Sequence, residues 1–161
     1  MTNPLHVEAP EGVPFIDATR EFDAPVEAVF RAHRDPDLVT RWLGPGKYRM
    51  DLGRWDFTSG GSWAYTHTGP DGDEYRFRGV FHTVRENEFA IQTFEFEGYP
   101  GHVSLDTAVL EDHGDTTLIR TVSVFQSVED RDGMVQSGMA DGMREAYERL
   151  DELTAKLVAY N

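Results

Sequence analysis

Apolar and polar residues alternate from Phe15 to Phe22, with Ile16, Ala18 and Phe22 on one face and Asp17, Thr19 and Glu21 on the other. Period two predicts a strand. Asp23-Ala24-Pro25 then opens a short helix carrying Val26, Val29 and Phe30, since proline is tolerated in the first helical turn. Asp35-Pro36 opens a second, with the aspartate as expected cap; it carries Leu38, Val39, Trp42 and Leu43 and stops at Gly44-Pro45-Gly46. The middle of the chain reads as strands and turns: Tyr48 to Leu52, Ser62 to Thr68, Glu74 to Val84, Phe89 to Glu97, Val103 to Glu111 and Thr117 to Phe125. Gly69-Pro70-Asp71-Gly72 and Asp112-His113-Gly114-Asp115 supply turn chemistry between them, so the pattern is an antiparallel meander. From Ser127, where Asp130 three residues on suggests a cap, the pattern predicts one long helix. Its apolar stripe is Val135, Met139, Met143, Ala146, Leu150, Leu153 and Leu157.

Strand, two short helices, a meander and a terminal helix make an α+β domain over residues 15–158, with the helix packed against a twisted sheet. Residues 1–14, with Pro4, Pro10, Gly12 and Pro14, read as a flexible arm lacking signal-peptide character. A chain of 161 residues buries enough surface to need no staple. The sequence has no cysteine, which removes disulfides, thiolate metal sites and cysteine nucleophiles and fits a cytoplasmic location. Fifteen basic against 29 acidic residues give a net charge of −14, which argues against nucleic acid and anionic membranes as partners. No apolar run reaches bilayer-spanning length.

Several motifs then fall into a recognisable order: Phe22-Asp23-Ala24-Pro25, Asp35-Pro36 with Arg41-Trp42, Gly60-Gly61, Gly69-Pro70-Asp71-Gly72 and Arg78-Gly79-Val80. The tail Ser137-Gly138-Met139-Ala140-Asp141-Gly142, followed by Tyr147, Arg149 and Leu150, completes the series. In order and spacing they resemble the bacterial homologues of the heat-shock-protein-90 ATPase activator, within the SRPBCC (START and Bet v 1-like) superfamily. The resemblance implies a helix-grip fold: a curved, seven-stranded antiparallel sheet around a long C-terminal helix, with two short helices closing one end. It also implies a cavity between sheet and helix in which members hold hydrophobic small molecules. Other members act as cyclases or hydrolases, and the eukaryotic activator works on a chaperone.

The residues themselves supply candidate walls. Trp63 with Tyr65, Phe77 with Phe81, and Phe94 with Phe96 share strand faces; Trp42, Phe125, Met139 and Met143 add to the same interior. Such a surface suits a flat apolar or aromatic ligand. Gly79, Gly138 and Gly142 withhold side chains from interior surfaces and favour a cavity, although close backbone packing is the competing explanation. Arg20 falls in frame with Ile16 and Phe22; an inward arginine needs a carboxylate or ligand oxygen, and the expected reading is an end-of-strand arginine reaching solvent. Gln92, in frame with Phe94, is a candidate for orienting a polar ligand group. His67, in frame with Trp63 and Tyr65, is the acid–base candidate, whereas His82 and Glu95 with Glu97 belong to the solvated face. No metal-ligand spacing, phosphate loop or nucleophile motif occurs, so neither cofactor nor metal is expected and no catalytic residue is assigned. The leading expectation is a non-catalytic binding protein for an apolar or aromatic small molecule. The alternatives are a cyclase- or hydrolase-like enzyme using the same pocket and a chaperone-interaction module; a weak homodimer is also considered.

Overall fold

In a computed structural model that describes residues 3–44 and 46–159, the elements run in chain order β1 (His6–Glu8), β2 (Phe15–Phe22), α1 (Val26–Arg34), α2 (Pro36–Trp42), β3 (Arg49–Trp55) and β4 (Ser62–Thr68). There follow β5 (Glu74–Arg85), β6 (Phe89–Phe96), β7 (Val103–Asp112), β8 (Thr117–Val124), α3 (Val128–Gln136) and α4 (Met139–Ala159). All strands join one antiparallel sheet in the order β1-β2-β8-β7-β6-β5-β4-β3. β3 to β8 form the expected meander. β2 instead crosses to pair with β8, from Phe15 opposite Val124 to Phe22 opposite Thr117. The connection from β2 to β3 must therefore span from one side of the sheet to the other, and α1 and α2 make that crossing over the concave face.

The alternation read along β2 is obeyed residue by residue: Ile16, Ala18, Arg20 and Phe22 are buried and their neighbours are not. The sheet has eight strands rather than seven. The extra one comes from the segment expected to be a loose arm, where His6 pairs with Thr19 and Glu8 with Asp17. A three-residue strand is too short to show a period, and its stability comes from backbone pairing. Arg131 strengthens the attachment by donating from Nη1 to the Pro10 carbonyl at 2.8 Å.

The terminal helix is two helices. Ser127 caps α3 as expected, its Oγ accepting the Asp130 amide at 3.1 Å. The run then ends at Gly138, whose φ of +85° no continuing helix can use. Val135 thereby leaves the predicted stripe and is exposed. In α4 the stripe holds: Ala146, Leu150 and Leu153 are buried together with Tyr147 and Thr154. Asp35 also departs from expectation, because Arg31 and Arg34 take its carboxylate at 3.1 Å each and no side-chain cap forms on α2.

Two apolar clusters hold these layers. One joins α1, α2 and α4 to Phe22 and Ile119 of the sheet. The other gathers Trp63, Tyr65 and Phe81 under β3 and the segment around Phe57. Leu43, just past α2, packs against both. Among the described residues no helix is long and apolar enough to cross a membrane.

Candidate site in the concave cleft

Strand registers set the concave-face side chains beside one another. Phe77 stands opposite Tyr65 on one side and Phe96 on the other; Gln92 stands opposite Phe81 and Asp106; Asp106 stands opposite Ser123. Rings join across these strands: Trp63 stacks on Tyr65 at 5.1 Å, and Phe77 lies 5.3 Å from Tyr65, 5.4 Å from Phe94 and 5.3 Å from Phe96. Six of the predicted wall residues, Trp63, Tyr65, Phe77, Phe81, Phe94 and Phe96, thus form one continuous aromatic surface. Trp63, Tyr65 and Phe81 are sealed within it, while Phe77, Phe94 and Phe96 remain half-buried.

The other four wall candidates lie elsewhere. Trp42 is a core pin of the helical cluster, its Nε1 donating to the Ala32 carbonyl at 2.9 Å. Met143 packs half-buried against that cluster, and Met139 is half-buried in the first turn of α4. Phe125 lies just past β8, its amide bonded to the Pro14 carbonyl at 2.8 Å. Gly79 leaves no vacancy: a Cβ there would stand 2.0 Å from the Thr93 carbonyl oxygen and 2.6 Å from Trp63 Nε1, so close packing explains it. Gly138 ends a helix. Two shallow depressions of about 210 and 260 Å³ are lined by residues such as Thr66, Arg76, Arg78 and Thr93 from the convex side. Neither is the sealed cavity between sheet and helix that the glycines suggested.

Polar groups enter the cleft at two places. His67 is buried and stacks on Tyr65 at 4.9 Å, and its Nε2 has no partner. Burial, and after it the Arg149 cation, push its pKa down to about 4, so the ring is neutral at physiological pH. Arg149 itself donates to the Trp42 carbonyl at 3.1 Å, capping the end of α2. Asp106 is the second. It is half-buried on the concave face, accepts the Ser104 hydroxyl at 3.0 Å and stands opposite Ser123 of β8. Burial pushes its carboxyl up to about 6, against the downward pull of the two serines. Its charge adds to burial in driving the Tyr65 phenol upward.

Sequence reading missed Asp106 because β7 inverts the expected pattern. Val103, Leu105 and Val109 share a face and look like the inner one, yet Leu105 and Val109 are exposed. Ser104, Asp106 and Ala108 face inward instead. The available signal is register: Gln92 lies in frame with Phe94, and its partner across the strand is Asp106.

Arg20 points inward rather than to solvent. Its Nη1 lies 3.7 Å from Asp151 Oδ2 and donates to the Glu21 carbonyl at 3.1 Å, and the guanidinium lies over Phe22. Glu95 sits outside as expected, accepting from Arg78 Nε at 3.1 Å and the Gly101 amide at 2.8 Å.

A curved antiparallel sheet gripping a C-terminal helix, with a two-helix crossover over its concave face, defines a helix-grip protein of the SRPBCC superfamily. The family model described as activator of Hsp90 ATPase homolog 1-like protein matches residues 23–155, and the chain belongs to that family. An Arthrobacter aurescens protein is 31% identical with a TM-score of 0.85, over 94% of this chain and 91% of that one. A Rhodobacter sphaeroides protein at 24% identity and TM-score 0.86, covering 95% of this chain and 99% of its own, shares the fold. So does a Mycobacterium smegmatis protein at 24% identity and TM-score 0.84, covering 93% of this chain and 96% of its own. A search of curated proteins finds no match.

Proposed function

We propose that the chain binds a small apolar or aromatic molecule in the concave cleft. The supporting observation is that Phe77 and Phe94, packed against the Trp63–Tyr65–Phe81 cluster, and Phe96 beside Phe77 stay half-buried on the concave face. Rings of this size left partly open on an inward face form a surface that a flat ligand completes. A thermal-shift screen against aromatic, lipid and polyketide-like molecules tests the reading. A ligand at a hundred times its dissociation constant adds about 2.7 kcal/mol of stability. Ala108→Phe, which places a ring on the same concave face, is expected to abolish the shift while the variant still folds. Silence across a broad screen would count against the cleft.

A catalytic reading draws on Asp106 and His67, whose displaced pKa values of about 6 and about 4 mark titratable groups inside the cleft. It requires turnover with a pH profile that breaks near one of these values.

A protein-partner reading draws on the convex face, where Val80, Leu105, Val109, Val122 and Val124 are exposed and Leu105 pairs directly with Val124. It predicts stimulation of an Hsp90-type ATPase that Leu105→Asp removes without altering small-molecule binding.

A further inference from the structure

Asp106 is a carboxylate on an aromatic-lined face to which the described residues supply no cation. Ser104 donates to it, Ser123 and Gln92 stand across from it on β8 and β6, and among the described residues no basic side chain acts on it. The inward arginines are engaged elsewhere, and the buried Arg131 is held by Asp132 and the Pro10 carbonyl. Arg20 is held by Asp151 and the Glu21 carbonyl, and Arg149 by the Trp42 carbonyl. A carboxylate accepts through two oxygens with about four lone-pair sites, and the Ser104 hydroxyl leaves capacity for further donors.

We propose that the cleft takes an amphipathic organic amine, with its apolar body against Phe77, Phe94 and Phe96 and its ammonium N–H groups donated to Asp106. The proposal rests on the reading that the cleft is the ligand site, and it names the ligand's chemistry. Three independent features select a cation over a neutral or acidic ligand. First, the desolvated carboxylate gains most from a charged donor, because charge-assisted hydrogen bonds are the strong ones. Second, Phe94, the diagonal neighbour of Asp106 across β6 and β7, and Tyr65, which feels its charge, offer π faces that attract a cation. Third, the net charge of −14 raises the local concentration of cations and lowers that of anions. The same three features work against fatty acids and other carboxylates, which would bring a second negative charge into the cleft.

Calorimetry with three probes that share one aromatic body tests this directly: 2-naphthylmethylamine, 2-naphthalenemethanol and 2-naphthoate. At pH 7.5 the amine is expected to bind at least about tenfold more tightly than the alcohol, the gain of one charge-assisted hydrogen bond, with the acid weakest. Asp106→Asn keeps the size of the side chain and an oxygen acceptor, and is expected to make amine and alcohol equal. Equal binding of the two by the unaltered protein would overturn the amine inference and leave the cleft reading standing. A preference for the amine that survives in Asp106→Asn would overturn it as well, by placing the ammonium elsewhere. Failure of all three probes to bind would overturn the cleft reading and the amine inference together.

Discussion

The His67 imidazole lies against the backbone of Gly44, so that a Cβ at position 44 would stand 2.5 Å from Cε1 and 2.6 Å from Nε2. Gly44 also has a φ of +95°, a conformation that side chains disfavour. The ring cannot yield easily, since it is buried and stacked on Tyr65 at 4.9 Å. The end of α2 is thus seated on a β4 side chain, and the crossover segment is tied to the aromatic cluster.

Gly44→Ala is therefore expected to cost about 2 kcal/mol or more, combining backbone strain with the clash. In a His67→Ala background the clash disappears and only the strain, about 1 kcal/mol, should remain. Urea denaturation of the four proteins of this cycle measures the coupling. Additive effects would mean that the ring and the glycine do not meet in solution.

Arg20 and Asp151 should respond unequally to substitution. The arginine side chain is 1% exposed and the aspartate 17%. Removing the carboxylate leaves a buried cation whose Nη2 already has no partner, and also deprives the Asp23 amide of its acceptor at 3.1 Å. Asp151→Ala is expected to cost about 3 kcal/mol. Arg20→Met fills the same space with apolar atoms and leaves an acid that water can reach, so its cost should be clearly smaller. Chemical denaturation of the two variants ranks them, and the reverse order would contradict the burial asymmetry.

The sheet and its helices were legible because β2 and α4 obey strong periods, and because turns at Gly69–Gly72 and Asp112–Asp115 leave little freedom of register. Arg20 shows the limit of that method. Its frame was right, but the partner that draws it inward, Asp151, is 131 residues away and enters only when α4 packs. The strand at His6–Glu8 is invisible for a related reason, since its stability lies in backbone pairing with β2 rather than in side-chain pattern. The helix break was hidden by good spacing across it: Val135 and Met139 are four apart, and only the dihedral of Gly138 separates them. The aromatic surface was readable strand by strand, whereas Asp106 was not. In β7 the larger apolar side chains face outward, and hydrophobicity alone then assigns the faces in reverse.

Gly79→Ala tests the packing of the aromatic cluster from its other side. The obstacle here is backbone, the Thr93 carbonyl of the neighbouring strand at 2.0 Å, and behind it the Trp63 indole at 2.6 Å. The carbonyl cannot move without breaking the pairing of β5 with β6, and the indole is sealed in the aromatic cluster of β4. The expected outcome is a larger loss of melting temperature than Gly44→Ala gives, together with a changed Trp fluorescence. A well-folded variant with unaltered fluorescence would show that Trp63 does not lie over position 79.

Asp106 and His67 should pull the pH dependence of stability in opposite directions. The folded-state pKa of His67, about 4, lies below its ordinary value of 6.5. The unfolded chain therefore binds the extra proton between those values, and stability is lost as pH falls through that window. The folded-state pKa of Asp106, about 6, lies above its ordinary value of 3.8. Here the folded chain holds the extra proton, so stability is gained as pH falls from about 6 toward 4, when the cost of a buried charge is relieved. The two windows overlap almost completely, and the unaltered protein shows only their difference. Asp106→Asn removes the acid-stabilising arm, so its melting temperature should fall more steeply than that of the parent between pH 7 and pH 4.5. His67→Gln removes the opposing arm and should fall less steeply or rise over the same interval. Contributions from the exposed ion pairs are common to all three proteins and cancel in the differences. Three parallel profiles would mean that neither group titrates differently in the folded and unfolded chain, and would remove Asp106 and His67 from any pH-dependent role in the cleft.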